Sequence, residues 1–80
     1  MPTVFQERGF RFFFWSNEGS PLEPAHIHVE KDDAEAKFWL NPVVQVAYNE
    51  GYDLRTLRKV QEMVWSNRDL IQGAWDAFFG

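Results

Sequence analysis

The segment His26–Leu40, "HIHVEKDDAEAKFWL", contains two strand-like runs joined by a short polar connection. The runs His26–Lys31 and Glu35–Leu40 are rich in β-branched and aromatic residues, and "DDA" between them is short enough for a tight turn. The segment therefore predicts an antiparallel β-hairpin.

A second hairpin is predicted nearer the start of the chain. Thr3–Gln6 and Phe10–Trp15 flank "ERG", and Gly9 there can adopt a positive φ angle. The connection Ser16–Pro24, "SNEGSPLEP", is rich in turn-forming residues and joins the two hairpins. We expect an antiparallel meander of three to four strands over about residues 3–40.

The remainder of the chain has helical signals. Asn41 followed by Pro42 is typical of a helix start, which predicts a short helix over Pro42–Glu50 that ends at Gly51. Asp53 is a suitable N-cap for a second helix.

Apolar residues then recur at spacings of three and four up to Phe78, with one polar interruption at Asn67. The segment Ser66–Asp69, "SNRD", can cap a new helix. The apolar stripe nevertheless keeps its phase there, so we expect one continuous helix over Leu54–Phe79. The fold class predicted for residues 1–80 is a single α+β domain, with the meander packed against a helical part at about 42–79.

The predicted long helix is expected to be longer than the sheet on which it packs. It would span about 40 Å at ~1.5 Å per residue, whereas a typical strand covers about 20 Å. Trp75, Phe78 and Phe79 near its end must then fold back onto the first strands or contact another chain, for example a second copy in a homodimer.

Composition excludes several classes of protein. The chain has no cysteine, so it has neither a disulfide scaffold nor a thiolate metal site. Its net charge of −4 argues against a broad nucleic-acid-binding surface. No signal peptide and no membrane-spanning run is recognisable, which predicts a cytoplasmic protein without membrane contact.

Both histidines of the chain lie on β-strand positions of the same side. Residues two apart in a strand point the same way, so His26, His28 and Glu30 share one face. If the small and apolar side chains of the sheet lie under the helix, the other face is mixed in character and typical of a binding surface. That face gathers Arg11, Phe13, Trp15, His26, His28, Glu30, Glu35, Lys37 and Trp39.

A metal site is the first interpretation of this face. Imidazole and carboxylate groups suit zinc or iron. Same-face positions are however about 6.5–7 Å apart along a strand, which places Glu30 far from His26, and the chain has no further His or Cys. We therefore predict no metal and no cofactor.

Two other interpretations remain open. In a metal-independent ribonuclease, His26, His28 and Glu30 would transfer protons and Arg11 and Lys37 would stabilise the phosphorane. The aromatic side chains Phe13, Trp15 and Trp39 would stack RNA bases. In a binding protein, the histidines would instead bond across the sheet to Glu35 or to backbone groups, beside an aromatic protein-binding surface.

Four segments resemble a known family. "MPTVFQERGFRFFFWSNEG", "EPAHIHVE", "AEAKFWL" and "NRDLIQGAWDAFF" are similar to the bacterial domain of unknown function 4160. The resemblance implies a small bacterial or phage protein, often encoded beside a partner of another uncharacterised family (domain of unknown function 2442), as in a toxin–antitoxin pair. The residues that match the motif are Arg11, Phe13, His26, His28, Glu30, Lys37 and Trp39.

The sequence thus predicts a component of a toxin–antitoxin-like module that acts mainly by binding another protein rather than as an enzyme. One alternative is the ribonuclease-like toxin. The other is a small acidic inhibitor of a nucleic-acid-binding complex, of the kind that phages use against host defence. Its acidic surface would be formed by Glu18, Glu23, Asp32, Asp33 and Glu35.

Overall fold

The computed structural model describes residues 2–18 and 22–80, which form one antiparallel sheet and two helices. The strands lie side by side in chain order. Their bounds are β1 Thr3–Glu7, β2 Phe10–Phe13, β3 His26–Lys31, β4 Ala34–Trp39 and β5 Gln45–Glu50. The α+β class and the four strands of the two hairpins are confirmed, and a fifth strand was not predicted.

Both hairpin turns use residues with positive φ. Arg8 and Gly9 have φ angles of 53° and 85°, so the conformation predicted for Gly9 is confirmed. Asp32 in the second turn has a φ of 55°, which a short side chain that bonds locally tolerates better than most. Part of the connection Ser16–Pro24, residues 19–21, lies outside the described residues.

The helix predicted at Pro42–Glu50 is wrong, because this segment contains strand β5. Val43, Val44, Val46 and Tyr48 are β-branched or aromatic and favour a strand over a helix. Pairing with β5 also satisfies the backbone groups along the second edge of β4. Tertiary pairing therefore overrides the helix-start signal at Asn41 and Pro42.

The prediction of one continuous helix is also wrong. The helical part consists of α1 Leu54–Ser66 and α2 Arg68–Phe79, with Asn67 between them. Asn67 has φ −108° and ψ 15°, outside the helical range, and its side-chain amide donates to the Met63 carbonyl at 2.7 Å beside its own backbone N–H at 3.1 Å. Asp53 caps α1 as predicted, since its carboxylate accepts from the Thr56 N–H at 2.7 Å.

The break in the helix lets α2 fold back onto the sheet. Trp75 is buried against Phe14, and Phe79 lies over Trp75 with ring centroids 4.2 Å apart. The sequence left two possibilities for Trp75 and Phe79, contact with the first strands or contact with another chain. In the structure both rings fold back onto their own chain. The buried core also includes Phe10, Phe12, Ile27, Val29, Ala36, Phe38, Leu40, Leu57, Val60, Met63, Val64 and Ile71.

The helices are too short and too polar to serve as membrane spans, as far as the described residues extend.

Candidate functional site

The strand register brings the predicted site residues onto one face of the sheet. His28 lies between Phe13 of β2 and Lys37 of β4, and Glu30 lies between Arg11 and Glu35. His26 is opposite Trp39. The face away from α1 therefore holds the set that strand alternation predicted, and the roles of its members stay predictions.

This face is far more covered than the sequence suggested. His26 is 0% exposed and His28 is also buried, as is Phe13, whose ring stacks on His28 with centroids 5.4 Å apart. The indole of Trp75 covers His26 at a centroid distance of 4.8 Å. Of the three aromatic side chains predicted for this face, Trp15 is exposed, Trp39 is half-buried and Phe13 is buried.

Glu18 is the residue that joins the two histidines. It follows β2 in the connection to β3, and only 8% of its surface is exposed. One oxygen of its carboxylate, Oε2, lies 2.6 Å from Nε2 of His26 and 2.6 Å from Nε2 of His28. The other oxygen, Oε1, accepts the backbone N–H of Trp15 at 3.0 Å. The expectation that Glu18 is a surface carboxylate is therefore wrong.

Both imidazoles are also held at their Nδ1 atoms. Nδ1 of His26 lies 2.8 Å from the carbonyl oxygen of Pro24. Nδ1 of His28 lies 3.2 Å from the hydroxyl of Tyr48 and 3.3 Å from Oε2 of Glu35. The Tyr48 hydroxyl in turn donates to Glu35 Oε2 at 2.5 Å. Each ring is therefore fixed in orientation from two sides.

The electrostatics of this group keep the carboxylate ionised. Burial opposes the ionisation of Glu18, but its contacts with His28 and His26 outweigh burial and hold the pKa of the carboxyl below its usual range. Burial and the neighbouring carboxylate of Glu35 raise the pKa of Tyr48 well above its usual range, so this phenol stays neutral.

The cations of this face are engaged by other carboxylates. The Arg11 guanidinium bonds twice to Glu30 Oε2, at 2.5 and 3.1 Å, and lies 4.1 Å from the centre of the Phe13 ring. Lys37 bonds to Glu23 at 3.0 Å. Glu30 is thus bonded to Arg11, whereas the Nε2 atoms of both histidines face Glu18.

The arrangement resembles a metal site more than it resembles the active site of a phosphodiesterase. The ligand atoms of Glu18, His26 and His28 lie within 4.8 Å of one another. Glu18 thus takes the place of the third ligand, for which the sequence offered only the distant Glu30. A general base must reach its substrate within hydrogen-bond distance, and His26 has no exposed surface with which to do so.

Two members of the site were missed from the sequence. Glu18 lies in an irregular connection, and nothing in its local pattern indicates that it faces the histidines. Tyr48 had a signal: Val44, Val46 and Tyr48 alternate with polar or small residues as in a strand. A regular strand would still have paired Tyr48 with Ala36. The register shift at Ala47 is what moves Tyr48 opposite Lys37 and onto the face of His28, and the alternation does not indicate that shift.

Comparison with known proteins gives one family. The family model described as a domain of unknown function (DUF4160) matches residues 9–76 of the chain. No curated protein and no solved structure matches it.

Proposed function

Because the chain belongs to the family of the domain of unknown function DUF4160, whose description assigns no activity, we propose from its own residues that it acts by binding a protein partner. In the proposal, the chain is one component of a bacterial or phage toxin–antitoxin-like module and acts in the cytoplasm. The observation that carries the proposal is Trp65, an indole that is 58% exposed at the bend between α1 and α2.

Trp65 lies between two shallow grooves. One groove of ≈ 310 Å³ is lined by Val43, Arg58, Glu62 and Trp65, among others. The second, of ≈ 490 Å³, runs from Trp65 past Arg68 to Leu70. Exposed Trp flanked by apolar and Arg side chains is the composition of interface hot spots. We call Val43, Arg58, Trp65 and Leu70 the Trp65 surface.

Charge around this surface indicates the chemistry of the partner. Arg55, Arg58 and Lys59 are all exposed on α1, and the guanidinium of Arg68 lies 5.8 Å from the Trp65 ring. Helix α1 therefore carries a net charge of +2, three cations against Glu62, although the whole chain carries a net charge of −4. A partner segment with an apolar side chain flanked by carboxylates is complementary to it.

The protein encoded beside this chain is the partner to test, as the resemblance to toxin–antitoxin pairs implies. The two purified proteins are mixed and the Kd is measured by calorimetry for the natural chain and for Trp65→Ala. Loss of a hot-spot Trp costs about 2 kcal/mol, so we expect affinity to fall by about 30-fold.

Leu54→Ala is the matched control, because Leu54 is equally apolar and exposed on α1 but lies outside the Trp65 surface. It is expected to leave the Kd unchanged. Absence of binding by the natural chain, or equal Kd values for Trp65→Ala and Leu54→Ala, contradicts the proposal.

Bacterial growth on induction of the chain alone distinguishes the ribonuclease-like alternative from the binding proposal. Burial of His26 and the engagement of Arg11 and Lys37 with carboxylates favour binding over cleavage. Growth arrest that a folded His26→Ala/His28→Ala variant relieves would replace the binding proposal by the enzyme. The acidic-inhibitor alternative retains the exposed Asp32 and Asp33 as its surface.

A further inference from the structure

We propose that Glu18, His26 and His28 form a binding site for one divalent transition-metal ion of the zinc class. The ligand atoms would be Oε2 of Glu18 and the Nε2 atoms of both histidines, which lie within 4.8 Å of one another. Two imidazoles and one carboxylate are a common ligand set for zinc and for non-haem iron.

The hydrogen bonds at Nδ1 direct the Nε2 lone pairs to one point. A backbone carbonyl can only accept, so Nδ1 of His26 donates its hydrogen to Pro24 O. The Tyr48 hydrogen is committed to Glu35, so the Tyr48 oxygen and the Glu35 carboxylate offer only acceptors to Nδ1 of His28. Nδ1 of His26 therefore carries a hydrogen, and Nδ1 of His28 can carry one as well, which leaves both Nε2 lone pairs directed towards Glu18 for an ion. Without an ion, Nε2 of His28 instead donates to Glu18 Oε2 at 2.6 Å.

This is the arrangement that metal-binding histidines have. The ring nitrogen that does not bind the ion donates to a carbonyl or a carboxylate, which fixes the tautomer and the direction of the ring. Here His26 uses the Pro24 carbonyl, and His28 uses Tyr48 together with Glu35. Both supporting contacts are in place beside the three ligand atoms.

The Nε2 atom of His26 is the second independent observation. Among the described residues it is the one buried side-chain polar atom without a hydrogen-bond partner. It lies 2.6 Å from Glu18 Oε2, but the contact does not have the geometry of a hydrogen bond. A cation between this nitrogen and the carboxylate would give Nε2 of His26 the partner that it lacks.

Room for the ion requires a small movement of one side chain. Two ligands of a tetrahedral ion at ~2.0 Å are about 3.3 Å apart, so the Glu18 carboxylate would withdraw by roughly 0.7 Å from its present 2.6 Å contacts. Glu18 lies in a connection rather than a strand, which makes it the ligand best able to move. Three protein ligands leave one position for water.

Zinc binding to the untagged, chelator-treated chain tests the site. Calorimetry is expected to give one Zn²⁺ per chain, and the ¹⁵N resonances of both Nε2 atoms should shift on addition of the ion while those of Nδ1 move less. Glu18→Gln keeps the shape of the ligand but removes its charge. It should weaken binding by at least about tenfold, since even supporting residues of metal sites cost that much.

Glu23→Gln is the matched control, because Glu23 lies in the same connection but bonds to Lys37. It should bind zinc like the natural chain. The proposal fails if the natural chain shows no saturable binding, if Glu18→Gln binds as tightly as Glu23→Gln, or if the Nε2 resonances stay in place. The resonances are measured on the natural chain and decide the outcome even if Glu18→Gln does not fold.

Discussion

The ring of Trp75 in α2 lies edge-on against the ring of Phe14 that follows β2, with centroids 5.3 Å apart and planes at 87°. Edge-to-face pairs of this kind add to the free energy gained from burial. The contact attaches α2 to the sheet, and the same indole also covers His26, so Trp75 belongs to the core of its own chain.

Trp75→Ala is expected to lower the free energy of unfolding by about 3–5 kcal/mol, because it removes a buried indole and leaves a cavity. Phe78→Ala should change it by less than about 1 kcal/mol, since Phe78 is 48% exposed. Chemical denaturation measures both values. Equal effects of the two variants would contradict the fold-back of α2, and a loss of apparent mass in either would restore the dimer prediction.

Tyr48→Phe should destabilise the protein by about 1–2 kcal/mol, because Glu35 loses a donor and His28 loses a hydrogen-bond partner. Tyr52→Phe is the matched control. Its hydroxyl donates to the Val29 carbonyl at 3.5 Å, a long bond, and its loss should cost about 0.5 kcal/mol. Urea unfolding at neutral pH compares the two, and a larger loss in Tyr52→Phe would be inconsistent with the described network.

Tyr52 predicts a loss of stability at high pH. Burial, followed by the charges of Glu30, Glu35 and Asp32, raises its pKa to about 12 from the usual 10.0. The folded state thus keeps the proton to higher pH than the unfolded state. The stability that this contributes is complete below pH ~10 and is lost as pH rises towards ~12.

Tyrosinate absorbance measures this titration directly. The chain has two tyrosines. The hydroxyl of Tyr52 should ionise near pH 12, and this absorbance change should be absent in Tyr52→Phe. A tyrosine that titrates in the folded chain near pH 10 would show that the side chain is not held as described.

Two glycines should respond to alanine in opposite ways. Gly73 lies in α2 and an added Cβ would meet nothing within 4 Å, so Gly73→Ala should stabilise the fold by about 0.5–1 kcal/mol. Gly51 has a φ of 108°, and its Cβ would lie 3.1 Å from Cβ of Ala34. Gly51→Ala should therefore cost about 1–3 kcal/mol. Thermal unfolding gives the sign of each change.

Local pattern was enough for most of the sheet. Strand alternation predicted the face on which His28 lies, because a strand repeats every two residues, and a shift by one residue would have exposed Ile27 and Val29. It failed at β5, where a proline signal typical of a helix start outweighed β-branched residues. An edge strand forms because it pairs with the neighbouring strand, and its own sequence indicates this pairing only weakly.

The apolar stripe of the helical part contains Leu57, Val60 and Val64, which are buried in α1, but it indicates neither the buried Met63 nor the bend at Asn67. A stripe that keeps its phase is compatible with one helix or with two. What distinguishes them is the room that the sheet offers, since a straight helix would leave Trp75 and Phe79 in water.

Residue order alone was sufficient to put His26, His28 and Glu30 on one side of a strand, because backbone geometry imposes that alternation whatever surrounds it. Contact between distant segments accounts for the rest. Glu18 meets the histidines, and Tyr48 meets Glu35, only after the connection and β5 have packed against β3 and β4. Such contacts depend on how whole elements fill space together, and no spacing along the chain encodes them.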